Sequence, residues 1–200
     1  MWNLSPAWDD EEALARVFRA AAPFPHLVFD DFVDQAALDD LLAALEEEPV
    51  DDCQGDIFWF EGSSPEPRTD AFRRLRDSFA EALAPRLSRI SGKALSRADM
   101  RAYAYRPGHY LLPHNDHQQH VGRVLAYAYY LPSPEPPEGG ELELFRCTMD
   151  GRDVVRTESA KIIAPVPNRL VVFEVSDASL HQVREVMAGL RASLAGWFYP

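Results

Sequence analysis

His114, Asn115 and Asp116 stand together just ahead of a long apolar run. A second imidazole, His181, follows 65 residues after Asp116, and Arg191 comes 10 residues later. Two imidazoles and one carboxylate are the side-chain set that holds iron(II) on one face and leaves the other positions open for oxygen chemistry. Zinc and manganese compete for the same N,N,O face. His-x-Asp alone arises often by chance. Its occurrence in order with strands, a second His and then an Arg is far more selective.

Arg191 points to a second chemistry. A guanidinium within a β structure needs a partner, and its fork suits a small carboxylate. Ser193 lies on the same strand face, and Tyr105 and Tyr130 add phenol donors for the same anion. The expected ligand is a small dicarboxylate with one end on the metal and the other on Arg191. Taken singly, each of these residues has a blander role: His114 and His181 as satisfied polar groups, Asp116 as a turn residue, Arg191 as a surface charge, and the tyrosines as strand aromatics. Joint occurrence in order reverses that weighting.

The elements that must position them divide into two textures. The first half reads as helices with a few strands. An amphipathic helix spans 9–21, and Asp34 caps a second whose buried face carries Leu38, Leu41, Leu42 and Leu45. A third begins at Thr69 or Asp70 with Phe72, Leu75, Phe79 and Leu83 along one stripe, and Pro85 is expected to end or kink it. His26–Phe32 and Ile57–Phe60 read as strands. From Met100 the chain turns to short strands: Met100–Arg106, Arg123–Leu131, Glu141–Cys147, Lys161–Pro165, Leu170–Val175, Val183–Met187 and Arg191–Tyr199. His114 and Asp116 are expected on one face of an extended strand. This pattern predicts a mainly β, α+β sandwich or jelly roll with the early helices packed on one sheet. One domain over 1–200 is expected, with helical support mainly in 1–95 and the strand core in about 96–200.

Composition narrows the class further. With 200 residues, the chain is long enough to bury roughly 70% of its unfolded surface. A net charge of −12 argues against a nucleic-acid binder. It permits a basic partner such as a Lys/Arg-rich peptide. The absence of a long apolar run or a leader pattern, and two cysteines without a CxxC pair (Cys53 and Cys147), predict a cytoplasmic protein with reduced thiols and no membrane association.

The run Tyr105-Arg-Pro-Gly-His-Tyr-Leu-Leu-Pro-His114-Asn-Asp116, followed by Tyr129-Tyr130-Leu131, Gly139-Gly140-Glu141-Leu142, Asn168-Arg169-Leu170, His181-Gln-Val183 and Arg191-x-Ser193, resembles the 2-oxoglutarate/iron(II) dioxygenases, in their prolyl-hydroxylase-like branch. The resemblance covers roughly residues 100–200. It implies a double-stranded β-helix, cupin-like, with Fe(II) held by His114, Asp116 and His181. It also implies 2-oxoglutarate on Arg191 and Tyr130, with Tyr105 and Ser193 beside it and Trp197 lining the pocket near the metal. O2 would be the oxidant and ascorbate a candidate reductant.

The implied activity is hydroxylation of a prolyl residue in a peptide or protein, with release of succinate and CO2. The related halogenases lack the carboxylate, so Asp116 disfavours that chemistry. Arg191, where the collagen-type members carry Lys, places the chain nearer the oxygen-sensing and ribosomal-protein-modifying members. A free amino acid or small natural-product intermediate is the alternative substrate class. A non-catalytic metal- or 2-oxoglutarate-binding module and a zinc hydrolase are the alternatives of other classes.

Overall fold

The computed structural model describes residues 2–200. Three helices lead the chain: α1 (Glu11–Ala20), α2 (Gln35–Leu45) and α3 (Asp70–Ser91). Each starts on a side-chain cap that satisfies an otherwise orphaned backbone N–H. Asp10 accepts from Ala13, Asp34 from Ala37, and Thr69 from Phe72. Buried Glu48 adds a brace at α3, accepting from the backbone N–H groups of Arg68 and Thr69 and from the Thr69 hydroxyl.

Between the helices lie β1 (His26–Phe29), β2 (Val50–Gly55) and β3 (Phe58–Ser63). The remainder is β4 (Arg97–Ala98), β5 (Arg101–Tyr105), β6 (Tyr110–His114), β7 (Leu125–Leu131), β8 (Glu138–Gly139), β9 (Leu142–Asp150) and β10 (Asp153–Ile163), then β11 (Leu170–Glu174), β12 (His181–Val183), β13 (Val186–Ala188) and β14 (Arg191–Tyr199). Twelve strands form one curled sheet whose main path runs β1-β11-β7-β14-β5-β3-β6-β12-β9-β10. β3 is the seam: Glu61 and Gly62 pair with β5, while Phe58 and Trp59 pair with β6. The expected mainly β, jelly-roll architecture with helices on one sheet is what the structure has.

The helices cover the β1-β11-β7-β14 side. Phe72, Leu75, Phe79 and Leu83 from α3 meet Tyr127, Tyr129, Leu170, Leu194 and Phe198 in one buried cluster. The turn into β11 is held by Asn168, whose φ is +58° and whose side-chain oxygen accepts from the Tyr129 hydroxyl at 2.8 Å. No helix of the described residues is long and apolar enough to cross a membrane.

Several expectations need correction. α3 does not stop at Pro85 but runs to Ser91 and ends on Gly92 in the left-handed region. The lost backbone bond costs about 3 kcal/mol. Continuing the helix buries Leu87 and Ile90, at about 1.5–3 kcal/mol each. The two strands expected in the first half join the main sheet, β1 on β11 and β3 between β5 and β6. Val183–Met187 is not one strand: Arg184 and Glu185 separate β12 from β13. β10 is far longer than Lys161–Pro165, because it is a mostly exposed strand at the end of the sheet path that needs no apolar alternation. β6 was not anticipated. It ends at His114, so Asp116 sits in the following loop rather than on the same strand face.

Candidate active site

β6 and β12 run antiparallel with His114 and His181 as direct partners. Their rings face one another with centroids 4.3 Å apart. His114 Nδ1 lies 2.8 Å from the Leu112 carbonyl oxygen, and His181 Nδ1 lies 2.9 Å from that of Ser179. A carbonyl can only accept, so each Nδ1 carries the proton and each Nε2 presents a lone pair. Asp116 enters from the loop after β6, with Oδ1 3.8 Å from His114 Nε2 and Oδ2 3.5 Å from His181 Nε2.

Burial, and then the charge of His114, pull the His181 pKa down to about 4, against the opposing pull of Asp116. His181 is therefore neutral near pH 7, the form that binds metal. Two imidazole lone pairs aimed at a carboxylate repel unless a cation sits among them. The donor set and its tautomers fit a divalent metal ion.

The far end of the cleft is built around Arg191, 3% exposed on β14. Its Nη1 donates to Ser193 Oγ at 3.2 Å. Its guanidinium lies 4.7 Å from the ring centre of Tyr105 and 5.0 Å from that of Tyr130. Among the described residues, neither Arg191 Nε nor the Tyr130 hydroxyl has a hydrogen-bond partner of normal geometry. Burial pushes both phenols up, so they stay protonated donors. Gly140, with φ +69°, makes room for this arginine, since a Cβ there would lie 2.9 Å from Arg191 Cδ. A buried guanidinium with an orphaned N–H beside an orphaned phenol is costly unless an anion completes it. These residues fit the distal carboxylate of 2-oxoglutarate.

Strand alternation turns these groups into one lined cleft of about 300 Å³. On β14, Arg191, Ser193, Ala195 and Trp197 face inward. Their neighbours descend in layers: Tyr105 beside Arg191, Tyr103 and Tyr130 beside Ser193, Arg101 and Ala128 beside Ala195, and Ala126 beside Trp197. All eight residues singled out in the sequence (His114, Asp116, His181, Arg191, Tyr105, Tyr130, Ser193 and Trp197) thus lie in or against one space.

Phe58 and Phe60 of β3 also line the cleft. His117 bonds Asp177 and His120 is exposed, while His109 stacks on Trp59 and His26 is buried on β1 opposite Phe173. Among the charged residues lining the cleft, sequence reasoning missed Arg101 and Arg123. Arg101 was visible as the third member of an alternating set with Tyr103 and Tyr105. Arg123, whose guanidinium lies 3.6 Å over the Trp197 ring, had no such signal because it precedes its strand.

Comparison with known proteins adds three findings. Residues 100–199 match the model of the 2OG-Fe(II) oxygenase superfamily. The chain is 33% identical over 190 residues to mouse (Mus musculus) prolyl 3-hydroxylase OGFOD1, covering 88% of this chain and 33% of that protein. It therefore spans about a third of the length of that curated relative. Among solved structures, a Pseudomonas putida prolyl-4-hydroxylase superposes with a TM-score of 0.69 at 23% identity, covering 93% of this chain and 98% of that one. A Trichoplax adhaerens prolyl hydroxylase, solved with a hypoxia-inducible-factor peptide, gives 0.70 at 16%, covering 96% and 92%. At these identities the superpositions establish the shared jelly-roll fold.

Proposed function

The chain belongs to the 2OG-Fe(II) oxygenase superfamily, and from that premise we propose that it is an Fe(II)- and 2-oxoglutarate-dependent hydroxylase of a prolyl residue in a peptide or protein. The observation that carries the reading is the pairing of His114 with His181 across two strands, with Asp116 between them and Arg191 at the other end of the same cleft. The prolyl substrate rests on the resemblance to prolyl 3-hydroxylase OGFOD1.

His114, Asp116 and His181 would hold the metal, and Arg191, Tyr130 and Ser193 the far carboxylate of 2-oxoglutarate. With both bound, the centre supplies the oxidising power to hydroxylate a C–H bond using O2, releasing succinate and CO2. The chain's own work is to orient and exclude. The Leu112 and Ser179 carbonyls fix both imidazole tautomers. The Arg191 fork sets the direction of the cosubstrate, and Tyr105 shields that guanidinium from water. Ala126, Ala128 and Ala195 keep the cleft open for substrate. Trp197 and Phe58 give it apolar walls suited to a pyrrolidine ring.

The test is succinate formation, together with addition of one oxygen to a prolyl peptide read by mass spectrometry. Both should require Fe(II) and 2-oxoglutarate. Removing an outer-shell partner of a metal ligand already costs about 10–100-fold, so His114→Ala and Asp116→Ala should each lose more than about a hundredfold. Undiminished turnover in both variants would overturn the reading.

A further inference from the structure

The cleft carries one more charge than iron and 2-oxoglutarate use. Among the described residues lining it, three are arginines and one, Asp116, is acidic. Asp116 is committed to the metal, and Arg191 to the cosubstrate. Arg123 has carboxylate neighbours: its Nη1 lies 3.8 Å from Asp116 Oδ1, and Asp99 also faces it. Arg101 is different. Among the described residues, no carboxylate pairs with it.

Arg101 is held in place by the backbone of β3 instead. Its Nε donates to the Ser63 carbonyl oxygen at 2.6 Å, and its guanidinium lies 5.1 Å from the Tyr103 ring centre. Gly62 provides the room, since a Cβ there would lie 2.9 Å from Arg101 Nη2. On the other side its strand neighbours across the sheet are Ala195 and then Ala128, both too small to fill the space before it. Nε anchors the group to β3, Nη2 lies over Gly62 and Tyr103 shares a side-chain hydrogen bond with it, yet the guanidinium still lines the cleft with no carboxylate on it. A half-buried guanidinium that is positioned but not neutralised, inside a protein of net charge −12, is a receptor for an anion.

We infer that Arg101 is a specificity-determining residue that binds a carboxylate carried by the substrate next to the ring to be hydroxylated. This deepens the hydroxylase reading and rests on it. The carboxylate is either the α-carboxylate of the target itself, as in free L-proline or a C-terminal prolyl, or the side chain of an adjoining Asp or Glu. The overall acidity of the chain suggests basic partners. The cleft selects the opposite charge at the reacting position.

Equilibrium binding to the metal-free protein tests this without requiring turnover. Paired short peptides are used: a C-terminal proline as acid and as amide, and an internal proline flanked by Glu or by Gln, with L-proline and L-prolinamide as the smallest pair. The acid of at least one pair should bind the wild type about tenfold more tightly than its neutral partner. The pair showing this identifies the source of the carboxylate. In Arg101→Gln the preference should vanish, while Arg101→Lys keeps the charge, loses the fork and should retain part of it.

If Arg101→Gln does not fold, Gly62→Ala displaces the guanidinium without removing it and should narrow the same preference. Equal affinities throughout the wild-type pairs, or a preference that survives in Arg101→Gln and Gly62→Ala, overturns the inference. Failure of the hydroxylase reading would look different: no succinate from the iron- and 2-oxoglutarate-loaded enzyme, whatever the peptides bind.

Discussion

The two faces of β7 are equally buried and opposite in character. Leu125, Tyr127, Tyr129 and Leu131 point to the helices, where Tyr127 packs against Phe79 at 4.7 Å and Phe198 at 5.5 Å between ring centres. Ala126 and Ala128 point the other way, into the cleft. Bulk on one face fills the interior and supplies stability through buried apolar area. Smallness at 126 and 128 on the other, next to the Tyr130 ring at the Arg191 end, leaves a hollow that the polar groups of β5, β6, β12 and β14 surround. One strand therefore separates the part of the molecule that holds it together from the part that does chemistry, and alternation along the strand keeps the two independent.

The sharpest way to break that comparison is to exchange the characters of the two faces. Phe79→Ala removes a fully buried ring from the helical side and should cost about 3–5 kcal/mol in denaturant unfolding, with the kcat of the folded fraction unchanged. Ala128→Leu fills the cleft and should lower kcat/KM by more than about tenfold, with the loss of stability limited to about 1–3 kcal/mol. If Ala128→Leu instead unfolds the protein while Phe79→Ala abolishes turnover, the division between the faces is wrong.

A smaller effect is expected at the closed end of the cleft. Arg191→Lys keeps the charge but gives up the two-pronged grip, so KM for 2-oxoglutarate should rise by about tenfold with kcat largely kept. Steady-state kinetics against 2-oxoglutarate separates the two parameters.

The smallest effect concerns the start of β1. His26 Nδ1 lies 2.8 Å from the Phe24 carbonyl oxygen, and its Nε2 accepts from Lys161 Nζ at 2.7 Å. Burial first, and then the Lys161 charge, hold its pKa below the ordinary 6.5, against the Phe24 bond. The unfolded chain then binds a proton that the folded chain refuses, so stability is full above about pH 6.5 and declines as pH falls below it. Thermal unfolding of His26→Gln should show a shallower decline between neutral and mildly acidic pH than the wild type, with activity near pH 7 unaffected.

Legibility from the sequence followed the strength of the local pattern. Arg191–Tyr199 was readable to its ends because β14 is central, buried and rich in aromatic and apolar residues. The cap Asp34 was readable because a capping side chain acts within three residues of itself. β6 was missed because Pro113 and exposed Leu112 obscure its alternation. β2 had no strand bounds of its own in the sequence because it is polar and mostly exposed, and it is a strand only through its hairpin pairing with β3. An end of α3 at Pro85 was not borne out because a local cost is visible in sequence, whereas the burial of Leu87 and Ile90 that offsets it is not.

By itself the sequence determined which residues can do the chemistry, since a His, Asp, His and Arg set with phenol donors is a matter of residue type and order. It also determined that most of the second half is extended, since period-two patterning and turn residues act locally. Only the tertiary structure decided that His114 and His181 are register partners, that Asp116 reaches them from a loop, and that Gly62 and Gly140 stand aside for Arg101 and Arg191. Those facts depend on strand pairing and close packing between residues distant in the chain. Whether an arginine faces a carboxylate or an empty space is settled by its neighbours, and the neighbours of Arg101 come from strands on both sides of it.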